Sequence, residues 1–325
     1  MILSLGLTPA WQQILVFDSL QTGQVNRALD AHWCASGKVF NAGVAVHTLG
    51  GPGRVLAPAG GVAWDAMEAE LRVLGMDYRR IRTESATRVC TTLIDKATGA
   101  ITELVEEGRP LLPEEWERFR AAAEEEMKRA RAAVITGSLP GGAPVSCYRE
   151  LLHRRHCPVV LDFRGEGLLS VLDREPLIVK PNREELEKTL GHPLNGESAL
   201  IDAMRTLNRR GAGWVVVTQG PGPVLVSSAT RIYRLHPLSV DARAVINPIG
   251  SGDAMAGAMA WIIGNRGKED LDAGNKTEKT AALILEAVRW GIAAAAQNIR
   301  QLLPCRLDPA KLATEACGVS VERLA

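Results

Sequence analysis

The chain has 325 residues, 46% of them apolar and 23% charged, with a formal net charge of +1. That length supports one large domain, or one domain with an appendage, around a sizeable core. The near-zero charge excludes a nucleic-acid binder that works through a broad basic surface. Six cysteines without a C-x-x-C pair or a histidine cluster beside them point to reduced thiols in a cytoplasmic protein, not to a disulfide framework or a zinc site.

In chain order, residues 2–7 read as a buried strand with no basic leader before it. Residues 38–49 read as a helix of small residues, 54–57 as a strand and 63–74 as a helix. An amphipathic helix follows over 114–131, then strand 132–136, helix 145–155, strands 158–162 and 177–180, helix 199–210 and strand 214–218. Such alternation predicts a parallel sheet with helices on both faces. Residues 14–33 and 89–105 break the rhythm with short alternating strands and turns at Gln21-Thr22-Gly23 and Lys96-Ala97-Thr98-Gly99. They predict a small antiparallel lid inserted into the main domain. A hairpin is expected over 221–235, a buried helix over 254–264, and an exposed loop over 264–278 before a final helical region. No apolar run approaches the roughly 20 residues that cross a bilayer.

Polar residues collect where the predicted strands end, which is where ligands gather in open α/β sheets. They are Gly137-Ser138-Leu139-Pro140, Asp162, the run from Lys180 to Glu185, and Thr218-Gln219-Gly220. The most informative turn is Gly250-Ser251-Gly252-Asp253, between a short apolar strand and a small-residue helix. Its glycines leave backbone N–H groups open to close approach, and the helix adds its positive dipole end. Such a turn can hold an anion with Asp253 beside it, which suggests a base for phosphoryl transfer. Read alone, it is also an ordinary helix start with an acidic first turn. Asn182 and Glu185 likewise fit an N-cap with its N3 partner. A lone lysine or arginine fits a solvated surface charge.

Read together, these segments carry a resemblance. The run from Lys180 to Leu186 and the run from Asn247 to Asp253 closely resemble the signatures of the PfkB/ribokinase carbohydrate kinases. Within that family the chain is most similar to the 1-phosphofructokinase and tagatose-6-phosphate kinase branch. The matching segments are Leu7-Thr8-Pro9-Ala10-Trp11-Gln12, Val25-Asn26-Arg27, the run from Ala35 to Asn41, Thr87-Arg88, Gly137-Ser138-Leu139-Pro140 and Lys180-Pro181-Asn182, in family order.

The resemblance implies a single kinase domain over 1–325. Its fold would be ribokinase-like (Rossmann-like) α/β, with a central mostly parallel sheet flanked by helices and a small β-sheet lid. It implies ATP with Mg²⁺ and transfer of the γ-phosphoryl group to a hydroxyl of a sugar phosphate of the fructose 1-phosphate or tagatose 6-phosphate type. Asp253 is then the general base, and the N–H groups of Gly250, Ser251 and Gly252 stabilise the transferring charge. Asn182 and Glu185 are linked to Mg²⁺, through water, and to phosphate. Lys180, Asn182, Thr218, Gly220 and Gly222 fall on the nucleotide side. Gln12, Gly37, Lys38, Asn41, Arg88 and Ser138 fall on the sugar side, with Arg27 a further candidate from a lid strand. A homodimer through the lid is expected by analogy; neither nucleic acid nor membrane is an expected partner.

Departures from the branch concentrate on the sugar side. The opening asparagine is Thr8, the aspartate that grips a sugar hydroxyl falls at Gln12 or Gln13, and the asparagine after Arg88 is Cys90. The glycines of the G-G-K-G turn are partly replaced around Ser36-Gly37-Lys38-Val39, and Pro221 and Pro223 flank Gly222. These changes keep two alternatives open: a kinase of an unphosphorylated sugar, sugar acid or nucleoside, and a non-catalytic ATP- and sugar-binding regulatory protein.

Overall fold

The computed structural model describes residues 1–153, 155–266 and 278–325. Strands β1 (Ile2–Leu5), β8 (Ala132–Thr136), β9 (Val159–Asp162) and β11 (Trp214–Val217) are buried at every residue. Their near-continuous apolar runs suit parallel strands covered on both faces. With β4 (Gly53–Ala59), β5 (Asp77–Arg82), β10 (Ile178–Val179), β12 (Val224–Ser227), β13 (Ile232–His236) and β14 (Ser320–Arg323) they form a ten-stranded sheet. Its order is β14-β13-β12-β11-β10-β9-β8-β1-β4-β5. Pairing is parallel from β5 to β11 and antiparallel from β11 to β14. The expected α/β fold class is the one observed.

The smaller sheet has the order β3-β2-β6-β7, from β2 (Ala10–Phe17), β3 (Asp30–Ser36), β6 (Arg88–Asp95) and β7 (Ile101–Val105). It is mixed where antiparallel pairing was expected, because β2 and β6 arrive from separate crossovers and pair in parallel. Val25, Asn26 and Arg27 lie in the irregular connection between β2 and β3, not on a strand. Of the loop expected over 264–278, residues 264–266 close helix α8 (Ser251–Arg266) and Glu278 opens α9 (Glu278–Asn298). Residues 267–277 lie outside the described residues. Among the described residues no helix is long and apolar enough to cross a membrane.

Two packed layers cover the large sheet. Leu3, Leu5 and Ile135 face α3 (Pro113–Arg129), α4 (Cys147–His153) and α7 (Gly196–Arg209). Ile2 and Val134 face α8, α9 and α1 (Lys38–Thr48) on the other side. Helix α8 is apolar around most of its circumference, since it lies between α1 and α9. A Cβ on Gly257 would come within 2.7 Å of the Ala42 carbonyl and 2.8 Å of Ala45 Cβ. That glycine lets α8 press against α1 and brings the two helix starts together at one end of the sheet.

This contact is testable. Gly257→Val is expected to lower stability by about 1–3 kcal/mol through overpacking, read as a lower denaturant midpoint at unchanged m. An unchanged midpoint would show that α1 and α8 have room to separate.

Candidate active site

The site begins at the carboxyl ends of the central strands. Asp162 closes β9 with its side chain 1% exposed, and Thr136 Oγ1 donates to its Oδ2 at 3.2 Å. Lys180, immediately after β10 on the neighbouring strand, is 3% exposed and pairs with Asp162 Oδ1 at 2.9 Å. Lys38 Nζ reaches the same carboxylate from the start of α1, 3.6 Å from Oδ2, and stands 3.3 Å from Glu185 Oε1. Burial would raise the Asp162 pKa, but Lys180 and Lys38 outweigh it and hold the carboxyl below its ordinary value. Burial would likewise lower the Lys38 pKa, yet Asp162, Asp253 and Glu185 hold it above the ordinary lysine value.

Glycines let these helices start where they do. Gly37 precedes α1 at φ 77°, and a Cβ there would sit 2.8 Å from Thr8 O. Gly250 has φ 84°, a left-handed conformation that glycine adopts without steric cost. The turn it forms leaves the Gly250 and Gly252 N–H groups without a partner among the described residues. The Ser251 N–H, expected to join them, donates instead to Pro248 O at 3.1 Å. A Cβ on Gly252 would lie 3.5 Å from Lys180 Nζ, so that ammonium adds its charge beneath the turn.

Asp253 is the second carboxylate of this floor. Asn41 Nδ2 donates to its Oδ2 at 2.7 Å, and Ser36 Oγ donates to Asn41 Oδ1 at 3.0 Å. Burial pushes the Asp253 carboxyl up to about 6, with Asp162 adding to the rise and Lys38, Asn41 and Lys180 opposing it. A carboxylate so placed can take a proton while nearby N–H and ammonium groups meet an anion.

A cleft of about 1500 Å³ opens over this floor, between the large sheet and the small one. The residues expected on the nucleotide and sugar sides line it apart from Arg27 and Gly222; the Gly222 N–H closes a turn on Gln219 O at 3.0 Å. Asn182 and Glu185 form a reciprocal cap at the start of α6 (Arg183–Leu190): Glu185 N–H donates to Asn182 Oδ1 at 2.7 Å, and Asn182 N–H to Glu185 Oε2 at 3.0 Å. The other Glu185 oxygen faces Lys38, so the helix-cap geometry and a cation-facing carboxylate coexist. Thr218 O accepts the Arg183 N–H at 3.0 Å, which ties the α6 start to the end of β11.

On the lid side, buried Gln12 donates from Nε2 to Thr92 Oγ1 at 2.8 Å. Arg88 donates to Glu106 O at 3.0 Å and to Thr8 O at 3.1 Å. Exposed Arg27 is absent from the cleft wall. Three features escaped the sequence reading. Asp162 ended a strand, but nothing local marked it as the partner of two lysines. Glu103 and Glu107 line the cleft from the lid side, and burial pushes the Glu103 carboxyl up against the opposing pull of Arg88. Asn298, the last residue of α9, and Cys305, beyond that helix, reach the Gly250 turn from about fifty residues later in sequence.

The family model of the pfkB family carbohydrate kinases matches residues 2–302. A 1-phosphofructokinase of Xanthomonas campestris pv. campestris is 28% identical over 289 residues, covering 86% of this chain and 87% of that protein. The phosphofructokinase-2 of Escherichia coli in complex with substrates and products superposes with a TM-score of 0.84 at 23% identity, over 98% of both chains. The tetrameric inhibited form of the same E. coli enzyme gives 0.83 at 21% identity, again over 98% of both.

The raised Asp253 pKa carries a prediction. A reaction that uses this carboxylate as its base keeps its rate above pH 6 and loses it as pH falls through about 6. Lys38→Met removes the main opposing cation and should move that acid limb to higher pH. A kcat/KM profile whose acid limb stays in place in the variant would detach Lys38 from Asp253.

Proposed function

The chain belongs to the pfkB family of carbohydrate kinases, and from that premise we propose that it transfers the γ-phosphoryl group of ATP to a hydroxyl of a sugar phosphate, with Asp253 as the base. The observation that carries this reading is the union of a raised-pKa carboxylate, open Gly250 and Gly252 N–H groups and the Lys180 ammonium at one turn. Phosphoryl transfer asks a protein mostly for positioning and charge stabilisation. In this reading the sugar hydroxyl lies against Asp253 Oδ1, since Oδ2 is taken by Asn41. Asp253 accepts the hydroxyl proton as the bond to phosphorus forms. Gly250, Gly252 and Lys180 meet the charge on the transferring group, together with Lys38, which shares the Asp162 carboxylate with Lys180.

Mg²⁺, when bound, would supply positive charge against the phosphates of the nucleotide. Asn182 and Glu185 would hold it through water, as a cation that keeps several waters allows. They fit such a role because Glu185 Oε1 already faces a cation, Lys38, at 3.3 Å.

Within the fructose 1-phosphate or tagatose 6-phosphate type, the Xanthomonas 1-phosphofructokinase supports the first, and Arg88 on the cleft wall supports a phosphorylated sugar of either kind. One observation favours a second reading, an unphosphorylated sugar. Glu103 and Glu107 share that wall, while Arg88 already spends a donor on each of two backbone carbonyls. A homodimer through the small sheet belongs to the same proposal. By register Trp33, Gln13, Thr91 and Leu104 share one face. Trp33 is 42% and Leu104 54% exposed there.

An ADP-release screen over phosphorylated and free sugars tests substrate class. Asp253→Asn is expected to cut kcat by about 10²–10⁴-fold with little change in KM; unchanged turnover would remove Asp253 from the chemistry. Arg88→Ala should raise KM for a sugar phosphate by about 10–10²-fold, the worth of a charge-assisted hydrogen bond. An unaffected KM would favour the unphosphorylated sugar.

A further inference from the structure

A strap formed by residues 299–305, after α9, runs beneath the turn that carries Gly250. Asn298, the last residue of α9, is 0% exposed and spends both ends of its amide. Its Nδ2 donates to Ile249 O at 2.9 Å, and its Oδ1 accepts the Cys305 N–H at 2.7 Å. Cys305 is a non-glycine residue at φ 63°, and its Sγ donates to Gly250 O at 3.4 Å. Two further links tie the layers: Ile299 O accepts the Ile246 N–H at 2.7 Å, and Asn247 Nδ2 donates to Leu302 O at 2.9 Å.

Peptide geometry gives these bonds their consequence. The C=O of one residue and the N–H of the next share a rigid plane and point in opposite directions. Turning the Ile249 carbonyl down onto Asn298 therefore turns the Gly250 N–H up, away from the strap. The next plane is fixed as well: Gly250 O faces Cys305, and the Ser251 N–H faces Pro248 O. A glycine at this position leaves the flipped peptide sterically open, so the sequence alone does not fix the plane and the amide does. The Ser251 N–H is spent, and the direction of the Gly250 N–H is held by Asn298 on its own peptide plane and by Cys305 on the next.

We infer that Asn298 is a positioning residue for phosphoryl transfer, holding the Ile249–Gly250 peptide so that the Gly250 N–H faces the transferring group. The inference rests on the kinase reading above. Asn298→Asp keeps the acceptor for the Cys305 N–H but removes the donor to Ile249 O, whereas Asn298→Ala removes both.

The test compares wild type, both Asn298 variants, Cys305→Ala and Gln297→Ala. Gln297 is a neighbouring buried amide that bonds Glu315 and Asp308 on the far side of α9, so its variant reports on packing alone. For each protein, kcat and both KM values are measured, with the melting midpoint and the affinities for ADP alone and for ADP with aluminium fluoride, a mimic of the transferring group. Both Asn298 variants should lose about 10–10²-fold in kcat. Their KM values should stay within about threefold, and the extra affinity that fluoride complexation gives the wild type should disappear. Gln297→Ala should keep that extra affinity and kcat even where its midpoint falls as far. Folded Asn298 variants that retain kcat and the extra affinity overturn the inference. If neither Asn298 variant folds, Cys305→Ala decides: a several-fold drop in kcat and in the extra affinity supports the strap, and no change overturns it. A wild type that shows no extra affinity and no turnover sinks the kinase reading itself, and that result is recognisable because it appears without any substitution.

Discussion

A single buried carboxylate organises the active end of this molecule. Asp162 sits at the tip of a central strand with 1% of its side chain exposed, between the ammonium groups of Lys180 and Lys38. Removing one partner of a buried pair of this kind typically costs about 3–5 kcal/mol, because the other charge is left without water or a counterion. The pair is therefore weak evidence for stability as such, and strong evidence that both lysines are held in one place. Thr136 from the adjacent strand fixes the carboxylate rotamer, so the position of both ammonium groups is inherited from the sheet. Lys180, Lys38 and the start of α8 at Gly252 all gather around that carboxylate.

The second constraint is the close contact of α1 and α8. Their starts carry Lys38 and Asn41 on one side and Asp253 on the other, and the 2.7 Å hydrogen bond from Asn41 to Asp253 spans 212 positions of sequence. Asp253 ends up surrounded by opposing influences: burial and the Asp162 charge favour its protonated form, while Lys38, Asn41 and Lys180 favour the carboxylate. The balance leaves a group able both to accept and to release a proton near neutral pH. The same lysines that hold Asp162 ionised also oppose the protonation of Asp253, which links the charge states of the two carboxylates.

Much of this was legible in the sequence, for physical reasons. Strands β1, β8, β9 and β11 are buried on both faces, so their apolar runs could not be mistaken. Gly250, Gly252 and Asp253 could be read because a tight turn onto a helix start demands glycine and tolerates few alternatives. Strand β5 escaped notice because Asp77, Arg79, Arg80 and Arg82 hide its pattern. Three of those charges have partners elsewhere in the chain: Asp77 meets Arg54, Arg79 meets Glu125 and Glu126 on α3, and Arg80 lies over the face of Trp64. Strand β14, four residues at the sheet edge with three of them exposed, left no periodic signal. The Ser251 N–H was expected to be open and proved to be bonded, since a turn's internal hydrogen bonds follow from its dihedral angles and not from its composition. Asn298 and Cys305 had no local signature at all: their partners lie 49 and 55 positions away.

The surroundings of Asp253, burial above all, raise its carboxyl toward neutrality. Titration of its side-chain carbon by NMR in the ligand-free protein, with Asp253→Asn used to assign the resonance, tests this most directly. A midpoint near 6 is expected. A midpoint near 4, the ordinary value for an exposed aspartate, would contradict it.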